Sequence, residues 1–136
     1  MIKSKRNLLS AIVVSVIAGA VAMPTFAADK KITLGFAQVG AESEWRTANT
    51  VSIKDAAKEA GIELKFSDAQ QKQENQIKAI RAFIAQKVDV IAFSPVVESG
   101  WEPVLREAKA AKIPVVLTDR AVNTKDTSLY VTFMGS

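Results

Sequence analysis

Two short clusters of charged, hydroxyl and aromatic side chains are the candidates for ligand binding in this sequence. Their members are Glu42, Ser43, Trp45, Arg46, Asp119 and Arg120. Arginine and carboxylate side chains offer planar donors and acceptors that suit hydroxyl groups, and an indole face suits the C–H surface of a polyol. The chemistry that these residue types favour is therefore the binding of a sugar or a similar polyol.

Each of these residues also has an ordinary structural interpretation. Trp45 could pack along a helix, and Arg46 and Arg120 could be solvated charges. Asp119 could cap a turn or pair with its neighbour. The ligand-binding interpretation is favoured because both clusters directly follow strand-like runs, which a parallel sheet would bring to one edge.

The strand-like runs are short and apolar, and helical patterns separate most of them. We predict strands at residues 32–37, 62–66, 88–93, 114–118 and 129–133. The first helix begins at Ser43 as N-cap and ends at Gly61, with an apolar face that includes Ile53 and Ala57. A second helix follows the polar stretch 67–76 and ends near Gln86.

The third helix is predicted from Pro103 in its first turn, with Val104, Ala108 and Ala111 on one face. Strands joined by helical crossovers pair in parallel with right-handed connections. The order β-α-β-α-β-α-β-loop-β therefore predicts a doubly wound α/β sheet with the flavodoxin-like strand order 2-1-3-4-5. Its crevice would lie after strands one, three and four, at residues 40–46, 94–100 and 119–120.

The N-terminal residues 1–27 have the pattern of a secretory signal peptide, which leaves residues 28–136 as the domain. Three positive charges precede an uncharged apolar run, and small residues precede a cleavage position after Ala27. A membrane anchor is the less favoured interpretation, because the apolar run is shorter than the roughly 20 residues of a spanning helix. Removing the three charges lowers the net charge from +4 to +1, so composition gives no support for nucleic-acid binding.

Composition and spacing also argue against most catalytic chemistry. The chain has no Cys and no His, so it lacks the commonest metal ligands and the commonest general base. Gly35 and Gly40 have phosphate-loop spacing, but Ala41 and Glu42 stand where Lys and Ser or Thr should follow. Nothing marks one carboxylate as acid and another as base. We therefore expect no catalytic residue, no metal site and no cofactor.

Five segments resemble the sugar-binding receptors of bacterial ABC importers, a superfamily that includes the ribose receptor, and resemble most closely those for galactofuranose. They are ITLGFAQVGAESEWR (32–46), QQKQENQIKAI (70–80), SPVVESGWEPVL (94–105), IPVVLTDR (113–120) and SLY (128–130). The resemblance implies a periplasmic receptor that binds a monosaccharide at the positions of Glu42, Trp45, Arg46, Asp119 and Arg120, with Ser43 in the same motif. It implies a membrane permease as partner and a monomer at full length.

Receptors of this superfamily have two lobes, and this chain resembles only the N-terminal one. We therefore expect a truncated form in which the second lobe, and with it half of the sugar site, is absent. A sugar-sensing lobe for chemotaxis or for a signalling kinase is the alternative function. A carbohydrate-active enzyme is the more distant one.

Overall fold

The computed structural model describes residues 30–135, and the predicted signal peptide lies outside this range. Within these residues, five strands and three helices alternate, with one short 3-10 helix before the last strand. In order they are β1 (Thr33–Gln38), α1 (Glu44–Glu59), β2 (Glu63–Asp68), α2 (Gln73–Ala85), β3 (Val90–Phe93), α3 (Glu102–Ala110), β4 (Val115–Asp119), the 3-10 helix (Thr127–Leu129) and β5 (Thr132–Gly135). None of these helices is long and apolar enough to cross a membrane.

The strands form one parallel sheet in the order β2-β1-β3-β4-β5, which confirms the predicted fold class and strand order. β1 lies between β2 and β3, so the direction in which successive strands are added to the sheet reverses at β1. The helices that follow β1 and β3 therefore leave the sheet on opposite faces, and their first residues part at the carboxyl edge. This switch point is where the predicted binding residues lie.

Helices α2 and α3 cover one face of the sheet and form its hydrophobic core. Phe83, Trp101 and Leu105 pack there against the strand residues Phe93 and Leu117, and all five are buried. Trp101 also donates its indole N–H to the carbonyl of Val97 at 2.6 Å, which satisfies the polar atom of this buried ring. Trp101 is thus a packing residue and does not reach the crevice.

Helix α1 covers only part of the opposite face. An apolar groove of about 610 Å³ lies between α1 and the strands, floored by Leu34, Val90 and Val116 and bordered by Trp45 and Met134. The predicted apolar face of α1 does point at the sheet, yet Ile53 is only half-buried because the groove lies beside it.

Two boundaries differ from the sequence-based prediction by three residues or more, for local reasons. Helix α2 begins at Gln73, inside the polar stretch 67–76 that the prediction places before the helix, and Gln76 makes buried contacts from its first turns. β5 begins at Thr132 instead of residue 129, because Leu129 sits in a 3-10 turn and inserts into the core formed with α3.

Candidate functional site

The first turn of α1 presents the residues of the first cluster. Ser43 is extended and its hydroxyl accepts a hydrogen bond from the Arg46 N–H at 3.1 Å, as an N-cap does. Glu44 follows in the first turn, where a carboxylate meets the positive end of the helix dipole. At the other end, the N–H groups of Gly61 and Ile62 return to carbonyls of the last turn, which closes the helix in a Schellman motif. The local sequence thus sets where α1 begins and, with it, the position from which the Arg46 side chain projects.

Arg46 is the centre of the site. Its Nε donates to Oε1 of Glu42 at 3.2 Å, and its Nη2 donates to Oδ2 of Asp119 at 3.0 Å. The side chain is only 4% exposed, compared with 25% for Glu42 and 20% for Asp119. The third nitrogen, Nη1, is buried and has no acceptor within residues 30–135. A buried guanidinium with an unsatisfied donor is costly unless a partner can complete it.

Asp119 reaches Arg46 because the backbone turns sharply at the end of β4. Its φ is +64°, and the N–H of Arg120 returns to the carbonyl of Thr118 at 2.6 Å, the pattern of a γ-turn around Asp119. The left-handed region is sterically unfavourable for most residues and is tolerated by Asp and Asn. Such strain is found at binding and catalytic sites, where the surroundings hold it in place. The carboxylate is also bonded by the hydroxyl of Ser94 at 3.2 Å.

Arg120 lies beside this pair and forms a longer ion pair with Asp119. Its Nε is 3.7 Å from Oδ2 of Asp119, and its Nη1 donates to the carbonyl of Val96 at 3.3 Å. The side chain is exposed. Arg120 therefore links the end of β4 to the loop that follows β3 and keeps donor capacity toward solvent.

Trp45 stacks on Arg46. The guanidinium carbon lies 4.7 Å from the centroid of the indole ring, a cation–π contact, and the side chain as a whole is 50% exposed. The ring thus offers one remaining face, at the end of the apolar groove. The two predicted clusters lie together at the carboxyl edge of the sheet, where Asp119 contacts both Arg46 and Arg120.

Three buried polar residues support the site and were not singled out as site residues from the sequence. Gln38 donates to Asn49 and Thr50 of α1, at 2.9 and 3.0 Å. Ser94 bonds Asp119, and Gln76 bonds the backbone on both sides of the switch point. Position after β3 did nominate the loop that holds Ser94. Gln76 lies in the QQKQENQ segment. The family resemblance rests partly on this segment, to which the sequence alone assigned no structural role.

The arrangement offers donors and acceptors that can hold hydroxyl groups. The cluster uses one oxygen of Glu42 and one of Asp119 for Arg46, so each carboxylate has a second oxygen for a ligand. Both carboxylates face the same cation, which gives no division into acid and base. Within the described part of the chain, no group of three or more His, Cys, Asp or Glu side chains could hold a metal ion.

The structure is a doubly wound parallel α/β lobe in which charged and polar side chains gather at the carboxyl ends of β1, β3 and β4. The periplasmic binding protein domain family matches residues 34–134. The chain belongs to that family. This bears out the predicted resemblance.

Comparison with individual proteins gives the same relationship. The galactofuranose-binding protein YtfQ of Escherichia coli is 58% identical over 111 residues, which are 82% of this chain and 35% of that protein. A crystal structure from Mycobacterium smegmatis in complex with β-D-fucofuranose is 70% identical, with a TM-score of 0.76 over 77% of this chain and 34% of that one.

A third relative is the periplasmic binding component of the arabinose ABC transporter from Shewanella sp. ANA-3, solved with α- and β-L-arabinofuranose. It is 62% identical, with a TM-score of 0.76 over 76% of this chain and 34% of that one. The chain therefore spans about a third of the length of the relatives it matches.

Proposed function

We propose that this chain carries the first wall of a monosaccharide site in the substrate-binding component of an ABC importer. The observation that carries the proposal is the buried Arg46, held by Glu42 and Asp119, with Nη1 left without an acceptor. A sugar hydroxyl bound beside this cluster would donate to the carboxylate oxygen of Asp119 that Arg46 leaves open, and a small shift of the Arg46 side chain would let it accept from Nη1. One hydroxyl group would thus satisfy a donor and an acceptor that the protein leaves open.

The ligand we propose is a furanose, with galactofuranose as the first candidate. The relatives described above are a galactofuranose-binding protein and two structures that hold fucofuranose or arabinofuranose. Arg46 is neutralised by two carboxylates, so the wall has no net excess of positive charge to attract an anionic sugar. This balance favours a neutral monosaccharide over a sugar acid or a sugar phosphate.

The remaining candidate residues take supporting roles in this proposal. Trp45 presents its free indole face to the C–H surface of the ring, while its other face holds the Arg46 guanidinium. Arg120 adds an exposed donor beside Asp119. Ser43 acts first as the helix cap that orients Arg46, and its hydroxyl hydrogen is free to donate to the ligand.

The protein so proposed works in the periplasm, binds without chemical turnover and delivers its sugar to a membrane permease. The carboxylates support a binding role because both are used to hold a cation. The second wall of the cleft is expected from the part of the longer relatives that this chain does not match. Without that wall, a small ligand would stay largely exposed, whereas such sites bury most of the ligand surface.

A lobe-exchange protein tests the assignment. Residues 30–135 replace the matching segment of the E. coli galactofuranose-binding protein, whose 58% identity makes the exchange conservative. Calorimetry with galactofuranose should show binding, and Arg46→Ala and Asp119→Ala should each weaken it by at least about tenfold, or about 1.4 kcal/mol. Arg81→Ala is the matched control, because Arg81 also holds a carboxylate but lies on α2 away from the crevice.

Unchanged affinity in both site variants would contradict the assignment of these residues. Failure of the unsubstituted lobe-exchange protein to bind any furanose would contradict the proposed function. For the chain of 136 residues by itself, we expect binding too weak for calorimetry, and a tight complex would refute the requirement for a second wall.

A further inference from the structure

Gln76 makes an unusual set of contacts for a helical residue. It lies in the first turns of α2 and is fully buried, at 0% exposure. Its amide nitrogen donates to the carbonyl of Ala37 at 3.1 Å and to the carbonyl of Ser94 at 2.6 Å. Its amide oxygen accepts the N–H of Val96 at 3.0 Å. All of the hydrogen bonds of this side chain thus go to backbone groups.

These backbone groups lie on either side of the switch point. Ala37 is near the carboxyl end of β1, and Ser94 and Val96 follow β3, the neighbouring strand. The ladder between β1 and β3 is recorded up to the pair Ala37 and Phe93. Beyond that pair, the side chain of Gln76 bridges the two strand ends by hydrogen bonds to the backbone of both. Only a group with both a donor and an acceptor can make this set of bonds.

The loop held by Gln76 also contacts both charged residues at the end of β4. Ser94, whose carbonyl accepts from Gln76, donates its hydroxyl to Asp119 at 3.2 Å. Val96, whose N–H donates to Gln76, accepts from Arg120 at 3.3 Å. Two separate paths therefore lead from one buried amide to Asp119 and Arg120.

We propose that Gln76 is a positioning residue for the sugar wall, by which we mean Glu42, Trp45, Arg46, Asp119 and Arg120. It sets the placement of Asp119 through Ser94 and that of Arg120 through Val96. The inference rests on the proposed function for its link to sugar, and on the contacts above for its structural part. A displacement of Asp119 would move the Arg46 guanidinium as well, because Nη2 is bonded to that carboxylate. Binding groups that shift by about an ångström lose much of their effect.

The test compares Gln76→Met with Gln73→Met in the chain of 136 residues, labelled for NMR. Gln73 is the matched control because it lies on the same helix and bonds the same loop, donating to the carbonyl of Ser99 at 2.6 Å. We expect Gln76→Met to shift the backbone resonances of Asp119 and Arg120 and the Nε–H resonance of Arg46. Gln73→Met should leave all three unchanged.

A second pair of variants avoids the loss of buried backbone partners that Gln76→Met causes. Ser94→Ala removes only the hydroxyl that bonds Asp119 and keeps the carbonyl that bonds Gln76. It should shift the same Asp119 and Arg46 resonances, whereas Ser99→Ala should not. Unmoved resonances in folded Ser94→Ala would overturn the proposal even if Gln76→Met fails to fold.

Affinity for galactofuranose in the lobe-exchange protein supplies the functional measurement, made where circular dichroism shows the fold intact. Gln76→Met should weaken binding about tenfold, and Gln73→Met by less than about twofold. A lowered melting temperature with unchanged affinity would reduce Gln76 to a purely structural residue and overturn the proposal. If the unsubstituted protein binds no furanose, the proposed function fails, and the NMR comparison still decides whether Gln76 places Asp119 and Arg120.

Discussion

Removing the negative charge of Asp119 should cost this chain more stability than the loss of an ordinary surface ion pair. The Arg46 side chain is 4% exposed, Asp119 is 20% exposed, and the closest nitrogen–oxygen distance is 3.0 Å. Exposed pairs contribute about 0–1 kcal/mol, whereas removing one partner of a buried pair costs about 3–5 kcal/mol. Arg46 keeps Glu42 as a second partner and Asp119 is partly wet. We therefore expect Asp119→Asn to lower the free energy of unfolding by about 2 kcal/mol.

A double-mutant cycle separates the pair from its surroundings. Arg46→Met removes the cation but keeps apolar volume under Trp45, and the double variant Arg46→Met with Asp119→Asn removes both charges. Urea unfolding followed by far-UV circular dichroism gives the free energies, and we expect a coupling of about 1–2 kcal/mol. The exposed pair of Lys65 and Glu63, at 3.1 Å, is the control, with an expected coupling of about 0.5 kcal/mol or less.

Additive effects, within about 0.5 kcal/mol, would refute the structural argument for a buried pair at Arg46 and Asp119. A coupling that disappears in high salt would do the same, because buried pairs are screened much less than exposed ones. The variant Asp119→Ala supplies a further check. It should be about 1 kcal/mol less stable than Asp119→Asn, because alanine tolerates the positive φ of this position less well than asparagine does.

Three further predictions concern single side chains. Gly35→Ala should lower stability by about 1–3 kcal/mol in urea unfolding, since its Cβ would lie 2.5 Å from Phe83, and Phe83→Leu should recover part of the loss. Trp45→Leu should move the Arg46 Nε–H resonance downfield by removing the ring current, and should cost at most about 1 kcal/mol. The hydrogen bond from the Arg81 guanidinium on α2 holds the pKa of the Glu107 carboxyl below its usual range. The pairing of Glu107 with Arg81 should therefore stabilise the chain at neutral pH, and this contribution should disappear as the pH falls through the pKa of Glu107 in the folded chain. Below that pKa, Glu107→Gln and the parent chain should have the same melting temperature.

The strand order and the meeting of the two charged clusters could be predicted from the sequence because both depend on patterns within single segments. Alternating strand and helix patterns require parallel pairing, and parallel pairing brings the ends of β1 and β4 to one edge. The cap at Ser43 and the helix end at Gly61 were likewise local, and the structure confirms both. These features need no knowledge of which distant side chains meet.

What could not be predicted depends on contacts between distant segments. The start of α2 was placed too late because Gln73 to Gln76 have no apolar periodicity, and the reason for the helix there is the bond from Gln76 to β1 and β3. The burial of Arg46 depends on the positive φ of Asp119, which a sequence pattern does not encode. The apolar side chain of Leu129 predicts a strand position. In the structure Leu129 lies in a short 3-10 helix and packs into the core beneath α3.

The two faces of the sheet contribute unequally to the order of the site. Ser94 is bonded by Gln76 of α2, from the side where the core is complete, and in turn bonds Asp119, which also borders the apolar groove. Trp45 comes from α1, which borders the open apolar groove. Arg46 also leaves α1, but its guanidinium is bonded to Asp119 and so takes its position from the complete side. The geometry of the sugar wall should therefore survive changes in the α1 groove and fail on changes at the β3–β4 edge.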